Sequence, residues 1–497
     1  MDWSCAALLA QHAASAPGAA AVEQELTAVT RLAINLSYLL SAALFIFGLK
    51  MLAHPRTARI GNRLSALGML IAIVVTLGDR HIVSYWTIIA GIIAGGTIGG
   101  VLAVRVKMTG MPQMVGLLNG FGGLASAVVA LGEFLWSAAD PSKTPRIDTL
   151  VSIGLSVLIG TVTFTGSLTA FAKLEGLKFR GIVLSNPFVF PFQHWLNVGL
   201  LLLTILMITF VTRNYEQALW AVILLYLIAA ALGVLVVMPI GGADMPVVIS
   251  LLNSYSGLAA MTTGFALDNY CLIITGSLVG ASGIILTKIM CNAMNRSLLN
   301  VVAGGFGQEA AGPGSTQAAS GLTVRKMDAE EAAMVLEAAQ SVVIVPGYGM
   351  AVAQAQHSVA EMAALLEKKG VNVRYGIHPV AGRMPGHMNV LLAEANVPYE
   401  QLYDLSINDE MPQIDVAIVI GANDVVNPAA RDEPGNPIYG MPIFDVDKCK
   451  TVMVSKRSLN PGFAGIENPL FYKENTVMLF GDAKKMVTEI SQQLKAR

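Results

Sequence analysis

Between Leu32 and Asn292 the chain is almost wholly apolar runs, and this constrains its fold more than any motif does. A run of about 17 to 25 apolar residues crosses the hydrocarbon core as a helix, which satisfies its backbone N–H and C=O groups without water. Nine such runs are marked, at 32–53, 60–78, 82–104, 112–136, 148–171, 194–211, 217–238, 245–266 and 270–292. The chain is 54% hydrophobic and 13% charged, about half the charged share of an average soluble domain. Residues 1–31 read as a tail. The patch from Cys5 to Ala10 has no positive residue before it, and Pro17 and Gly18 break it, so a signal peptide is not expected.

Charge argues against some functions and orients the spans. A net charge of -1 without a basic cluster gives nucleic acid no surface to bind. Cys5, Cys271, Cys291 and Cys449 form no C-x-x-C pair, so neither a disulfide framework nor a metal site is expected. Lys and Arg accumulate in cytoplasmic loops. Lys50, Arg56, Arg59, Arg63, Arg105, Lys107, Lys173, Lys178, Arg180 and Arg296 flank one set of connections; Arg31, Arg80, Lys143, Arg146 and Arg213 flank the other. The imbalance places the N-terminus outside and everything after Arg296 in the cytoplasm.

Small residues line two spans, at Gly91, Gly95, Gly96, Gly99 and Gly100, and at Gly116, Gly120, Gly122 and Gly123, and predict close helix packing. Gly120 to Ala125 also fits G-x-G-x-x-A, but no strand precedes it, so packing is the reading there too. Polar residues at membrane depth are costly and point to function. The candidates are Asn119, Glu133, Ser167, Asp244 and Asn253, with Ser254 and Ser256; an interhelical hydrogen bond would explain Asn253 equally well. Asp79, His81 and Asp268 fall at outer edges and read as solvated; His194 reads as interfacial.

Past Arg296 the pattern loosens into Gly, Ala and Ser, a flexible linker over 293–327. Residues 328–497 then alternate strands and helices. Asp328 with Glu331 forms a helix start, and strands are expected at 341–345, 371–375, 414–420, 451–455 and 476–480, with a helix from Met350 to Lys369. The fold class is a polytopic α-helical membrane domain of nine spans followed by a cytoplasmic α/β Rossmann-like domain with a doubly wound parallel sheet.

Ligands of such sheets lie beyond the carboxyl ends of the strands. There the chain places Gly347, Tyr348, Gly349, Met350 and Ala351, a G-x-G-x-x-A turn whose glycines would let the backbone approach a pyrophosphate. The loop from His378 to His387 includes Arg383, able to hold phosphate; Gly421 to Asp424 and Lys456 to Ser458 follow later strands. An NAD site usually carries an acidic residue about 20 positions past the glycines. Here Val373, Arg374, Tyr375 and Gly376 stand instead, whereas Lys456, Arg457 and Ser458 suit a 2′-phosphate, so NADP(H) is the expected cofactor. Only one fingerprint occurs in a credible context, so an NADH site is expected on another chain.

These residues carry a resemblance. Ile240 to Gly257, Ile289 to Ser297, Pro346 to Gln356, Gly376 to Tyr399, Gly421 to Ala430, Lys456 to Gly465 and Leu479 to Lys485 resemble the beta subunit of proton-translocating NAD(P)+ transhydrogenase, a likeness running from about Leu32 onward. It implies NADP(H) contacts at Tyr348; at Val380, Ala381, Gly382, Arg383, Met384 and Pro385; at Gly421, Ala422, Asn423, Asp424 and Val425; at Gly440 and Met441; at Lys456, Arg457, Ser458, Leu459, Asn460, Pro461, Gly462 and Phe463; and at Asp482 and Ala483. The family's NADP(H) lies flipped relative to ordinary Rossmann enzymes, so the Gly-x-Gly turn can serve it differently. The resemblance also implies a partner alpha subunit holding NAD(H), a dimer of alpha–beta units, a bacterial inner membrane, and hydride transfer without side-chain acid–base catalysis. Proton flow into the cytoplasm would pass Asn119, Ser167, Asp244, Asn253 and Arg296, with Asp424 as a coupling carboxylate. Two departures stand out: Phe463 replaces a common tyrosine, and Asn119 a common histidine, so the proton path runs either through a partner's histidine or through water and Asn253. The alternatives are an ion channel or transporter regulated by a redox-sensing NADP(H) domain, and an NADPH-dependent reductase of a quinone.

Overall fold

The computed structural model describes residues 17–52, 55–79, 85–106, 108–139, 145–179, 182–183, 188–215, 218–302, 323–462 and 464–497. The expectations at Cys5, Arg80, His81, Lys107, Lys143, Arg180, Phe463 and most of the linker lie outside these residues.

All nine apolar runs form helices long and apolar enough to cross a membrane: α1 Pro17–Leu52, α2 Pro55–Asp79, α3 Tyr85–Arg105, α4 Met111–Ala139, α5 Ile147–Glu175, α6 Gln193–Arg213, α7 Leu219–Val237, α8 Met245–Ala266 and α9 Tyr270–Ala293. Pro17 stands at the first position of α1, where a helix has no use for the N–H that proline lacks; the Cys5–Ala10 patch lies outside the described residues. A two-residue hairpin, β1 Lys178–Phe179 and β2 Ile182–Val183, follows α5, and a short α10, Leu298–Val302, follows α9.

Glycine sets the helix spacing. A Cβ on Gly123 would stand 2.7 Å from the Gly160 carbonyl oxygen, and one on Gly257 would stand 2.4 Å from the Gly280 nitrogen, so α4 meets α5 and α8 meets α9 backbone to backbone. The packing expected around Gly120 is therefore real. The stripe on α3 differs: no residue of α3 is buried, and nothing lies within 4 Å of a Cβ added at Gly91, Gly95, Gly96, Gly99 or Gly100. Among the described residues, the packing expected of that stripe is not made.

Asp328 opens the sheet domain with a capping box to Glu331 at the start of α11 Ala329–Ala338. Six parallel strands follow, β3 Ser341–Pro346, β4 Asn372–Gly376, β5 Leu402–Tyr403, β6 Val416–Ile420, β7 Thr451–Lys456 and β8 Thr476–Phe480, in the order β5-β4-β3-β6-β7-β8. Counted from β3 this is the doubly wound order 3-2-1-4-5-6. Val342 and Ile344 pack against Leu336, Val359, Met362 and Val487 on one face; Val343 and Val345 pack against Met411, Phe444 and Leu470 on the other. Each buried aliphatic contributes about 1.5–3 kcal/mol of apolar transfer, which is why the strands read as unbroken hydrophobic runs.

Two expectations need correction. The helix expected over 350–369 is two, α12 Tyr348–Ala353 and α13 Gln356–Lys368, because Gln354 turns left-handed at φ 49°. The edge strand β5 was not expected; two residues are too few to show a period. The remaining helices are α14 His387–Glu394, α15 Ala429–Asp432 and α16 Ala483–Ala496. The sheet domain touches the membrane domain where α5 and α9 end. Arg383 Nη1 donates to the Leu174 carbonyl at 3.2 Å, Asn295 Nδ2 donates to the Tyr439 carbonyl at 2.7 Å, and Val380 packs into the cluster of Leu174, Val237 and Ile240.

Candidate cofactor site

The strand order reverses between β3 and β6, and their carboxyl ends frame a crevice. Gly347 N–H donates to Ile420 O and Gly349 N–H to Gly421 O, both at 2.9 Å. A Cβ on Gly347 would lie 2.4 Å from Ala422 Cα, and one on Gly421, at φ 65°, 2.4 Å from Gly349 Cα. These glycines thus lock one loop onto the other. The Gly347 and Gly349 amides are spent on that contact, and α12, which they open, has only six residues.

The Arg383 guanidinium lies 4.5 Å above the Tyr348 ring, and the Arg383 backbone N–H donates to His387 Nδ1 at 3.1 Å. Gly382 makes this turn possible at φ 110°, where a Cβ would strike the His387 ring. Ile377 and His378 follow β4, so no carboxylate stands where an NAD site would place one. His378 is neutral: Nδ1 accepts from Val380 N–H at 3.2 Å, leaving the Nε2 proton for the Pro442 carbonyl at 2.8 Å. Burial pushes its pKa down to about 4.

At the end of β7, Lys456 Nζ donates to the Asn460 carbonyl at 2.8 Å and sits 4.8 Å over the Phe471 ring. Burial lowers its pKa to about 8 although Asp424 draws it upward. Arg457 and Ser458 beside it are exposed. Asp424 accepts from Ala464 N–H at 3.1 Å, and the Gly462 backbone lies against its carboxylate. Asn468 Nδ2 holds the Asn423 carbonyl at 3.1 Å, while the buried Asn423 Nδ2 and Ser455 Oγ have no hydrogen-bond partner among the described residues. Buried polar groups are normally satisfied, so orphaned atoms beside two cations fit a polar, anionic ligand.

Other expected residues take other duties. Asp482 caps α16, accepting from Lys484 and Lys485 N–H groups at 3.1 and 3.2 Å. Gly440, at φ 82°, packs against the Asn295 amide, and with Met441 it lines an open cleft of about 410 Å³ beside Arg431. Asp432, Asp445 and Asp447 surround that guanidinium, so this cleft does not attract phosphate. No group of residues able to hold a metal ion occurs among the described residues.

In the membrane domain, Asn119 on α4 donates to the Ile249 carbonyl of α8 at 3.3 Å, one turn before the partly buried Asn253. Ser167 packs on Gly120, and its buried hydroxyl has no hydrogen-bond partner among the described residues. Asp244 and Arg296, far apart in sequence, form an ion pair of 3.2 Å. Ser254 donates to the Gly280 carbonyl at 2.6 Å and so ties α8 to α9. Asn468, Asn295 and Tyr439 carry no local signal in the sequence, and only the tertiary contact reveals them; by sequence Lys173 is a topogenic charge alone.

A family model of the NAD(P) transhydrogenase beta subunit matches residues 34–493. The chain belongs to that family. Two curated NAD(P) transhydrogenase beta subunits of Rhodospirillum rubrum are each 50% identical to it over 463 residues, 92% of this chain and 98% of theirs. Membership in the transhydrogenase beta-subunit family accounts for a multi-pass membrane domain and a Rossmann-like domain in one chain, and for nicotinamide nucleotide use.

Proposed function

We propose that this chain holds NADP(H) in the crevice at the ends of β3, β6 and β7, and that a transhydrogenase alpha subunit holds NAD(H) and delivers hydride to it. The observation that carries this reading is the pairing of a cationic loop, Lys456 and Arg457, with the missing carboxylate after β4. Bound NADP+ supplies the hydride-accepting nicotinamide carbon. Lys456 and Arg457 would offset the charge of a 2′-phosphate, Arg383 stacked on Tyr348 would hold a diphosphate, and the Asn423 amide would supply a donor. Asp424 steadies the backbone at Ala464 and Gly462 and the Lys456 charge, the position a coupling carboxylate needs. No side chain exchanges a proton with the reacting carbon; the chain contributes position.

Coupling runs through the membrane domain, with Asn119, Ser167 and Asn253 at depth and the Asp244–Arg296 pair at the end facing the sheet domain. That end is cytoplasmic by its Lys and Arg content, and protons move toward it in a bacterial inner membrane, within a dimer of alpha–beta units. The test is titration of the purified chain with NADPH and NADH, followed by addition of the alpha subunit. The expected result is binding of NADPH more than about tenfold tighter than NADH, with hydride transfer only after the alpha subunit is added. Equal affinities, or transfer by the isolated chain, would sink the proposal.

A further inference from the structure

Every helix ends with carbonyls that lack intrahelical partners. At the end of α5, Leu177 N–H takes the Ala172 carbonyl and Gly176 N–H the Lys173 carbonyl, at 3.1 and 3.2 Å. The Leu174 carbonyl is taken by Arg383 at 3.2 Å, from the other domain. Beside it α7 ends, and side chains complete it. Gln193 Nε2 donates to Leu235 O at 2.9 Å, and Lys173 Nζ donates to Met238 O and Ile240 O at 2.5 and 2.8 Å.

Lys173 is 3% exposed. A lysine whose only task was to mark the cytoplasmic face would stretch its ammonium into the headgroup region. This one is drawn inward, where a charge is costly without specific partners. It holds the corner from Met238 to Asp244, and that corner ends in the Asp244–Arg296 pair. The next residue of the same turn offers its carbonyl to Arg383, which lies on Tyr348 in the crevice. One turn of α5 therefore touches both the ion pair's corner and the cofactor loop.

We propose that Lys173 is a positioning residue of the cofactor site: by fixing the last turn of α5 against the α7–α8 corner it sets the Leu174 carbonyl that Arg383 takes. The proposal rests on the reading that Arg383 faces NADP(H). Its test uses the alpha–beta complex in proteoliposomes, with Lys173→Met, Lys173→Arg, Arg383→Gln and the Lys173→Met/Arg383→Gln double variant. Lys173→Met weakens NADPH by about 3- to 20-fold, the range of such indirect coupling, leaves the KM for NADH unchanged and lowers the protons moved per hydride. Lys173→Arg, which keeps the donors, restores most of the affinity. In the Arg383→Gln background Lys173→Met adds no further loss, because its effect travels through that bond. If Lys173→Met does not assemble, Lys173→Gln, whose shorter neutral amide lacks the ammonium's charge and reach, is read the same way. Unchanged NADPH affinity, equal shifts for NADH and NADPH, or losses that multiply in the double variant would overturn the proposal. An unsubstituted complex with no preference for NADPH overturns the cofactor reading instead.

Discussion

Lys456 is where the chemistry of the crevice can be tested with a single side chain. Burial lowers its pKa to about 8, so it is charged at neutral pH and loses its proton just above. Phosphate binds the ammonium and not the amine, so affinity is full below the pKa and falls as pH rises through it. NADPH is expected to bind about tenfold more weakly at pH 9 than at pH 7, the loss that deprotonation one unit above the pKa gives. Isothermal titration across that range checks this, and Lys456→Met should flatten the profile; a wild-type profile already flat removes Lys456 from the phosphate contact. Residue identity was legible here, because two cations after a strand have few other uses. The role of Asn468 was not: its worth lies in reaching Asn423 across the fold.

Among the elements, glycines separate by what surrounds them. Gly421 and Gly435 both have positive φ, at 65° and 94°, but only Gly421 lies against backbone, with Gly349 Cα 2.4 Å from where a Cβ would stand. Gly435→Ala is therefore expected to cost about 1 kcal/mol from backbone strain alone. Gly421→Ala adds a clash that no side-chain rotamer relieves and is expected to cost about 2–5 kcal/mol. Melting of the sheet domain in the two variants measures the difference, and equal losses would mean that the loops do not interlock. Element type was largely readable because periodicity is a local property. The join of α12 to α13 and the strand β5 were not, since one left-handed Gln354 and a two-residue strand leave no period.

At the scale of the whole molecule, the proposed function requires proton movement to reach a crevice in another domain. Asn119 joins α4 to α8 one turn from Asn253, and α8 begins at the Asp244–Arg296 pair. Asn119→Ala and Asn253→Ala should each lower the protons moved per hydride while NADPH affinity stays within about twofold, since they lie apart from the crevice. Pumping by the reconstituted complex beside equilibrium binding decides it; unchanged coupling in both variants removes the asparagines from the path. Hydropathy, charge asymmetry and turn chemistry act over a few residues, so the sequence by itself determined nine spans, the parallel sheet and the cationic crevice loop. Contact between distant segments has no local signature. Only the tertiary structure decided that the G-x-G glycines serve loop packing, that Asp244 meets Arg296, that α3 keeps an unburied glycine stripe, and that Arg383 completes a helix end in the membrane domain.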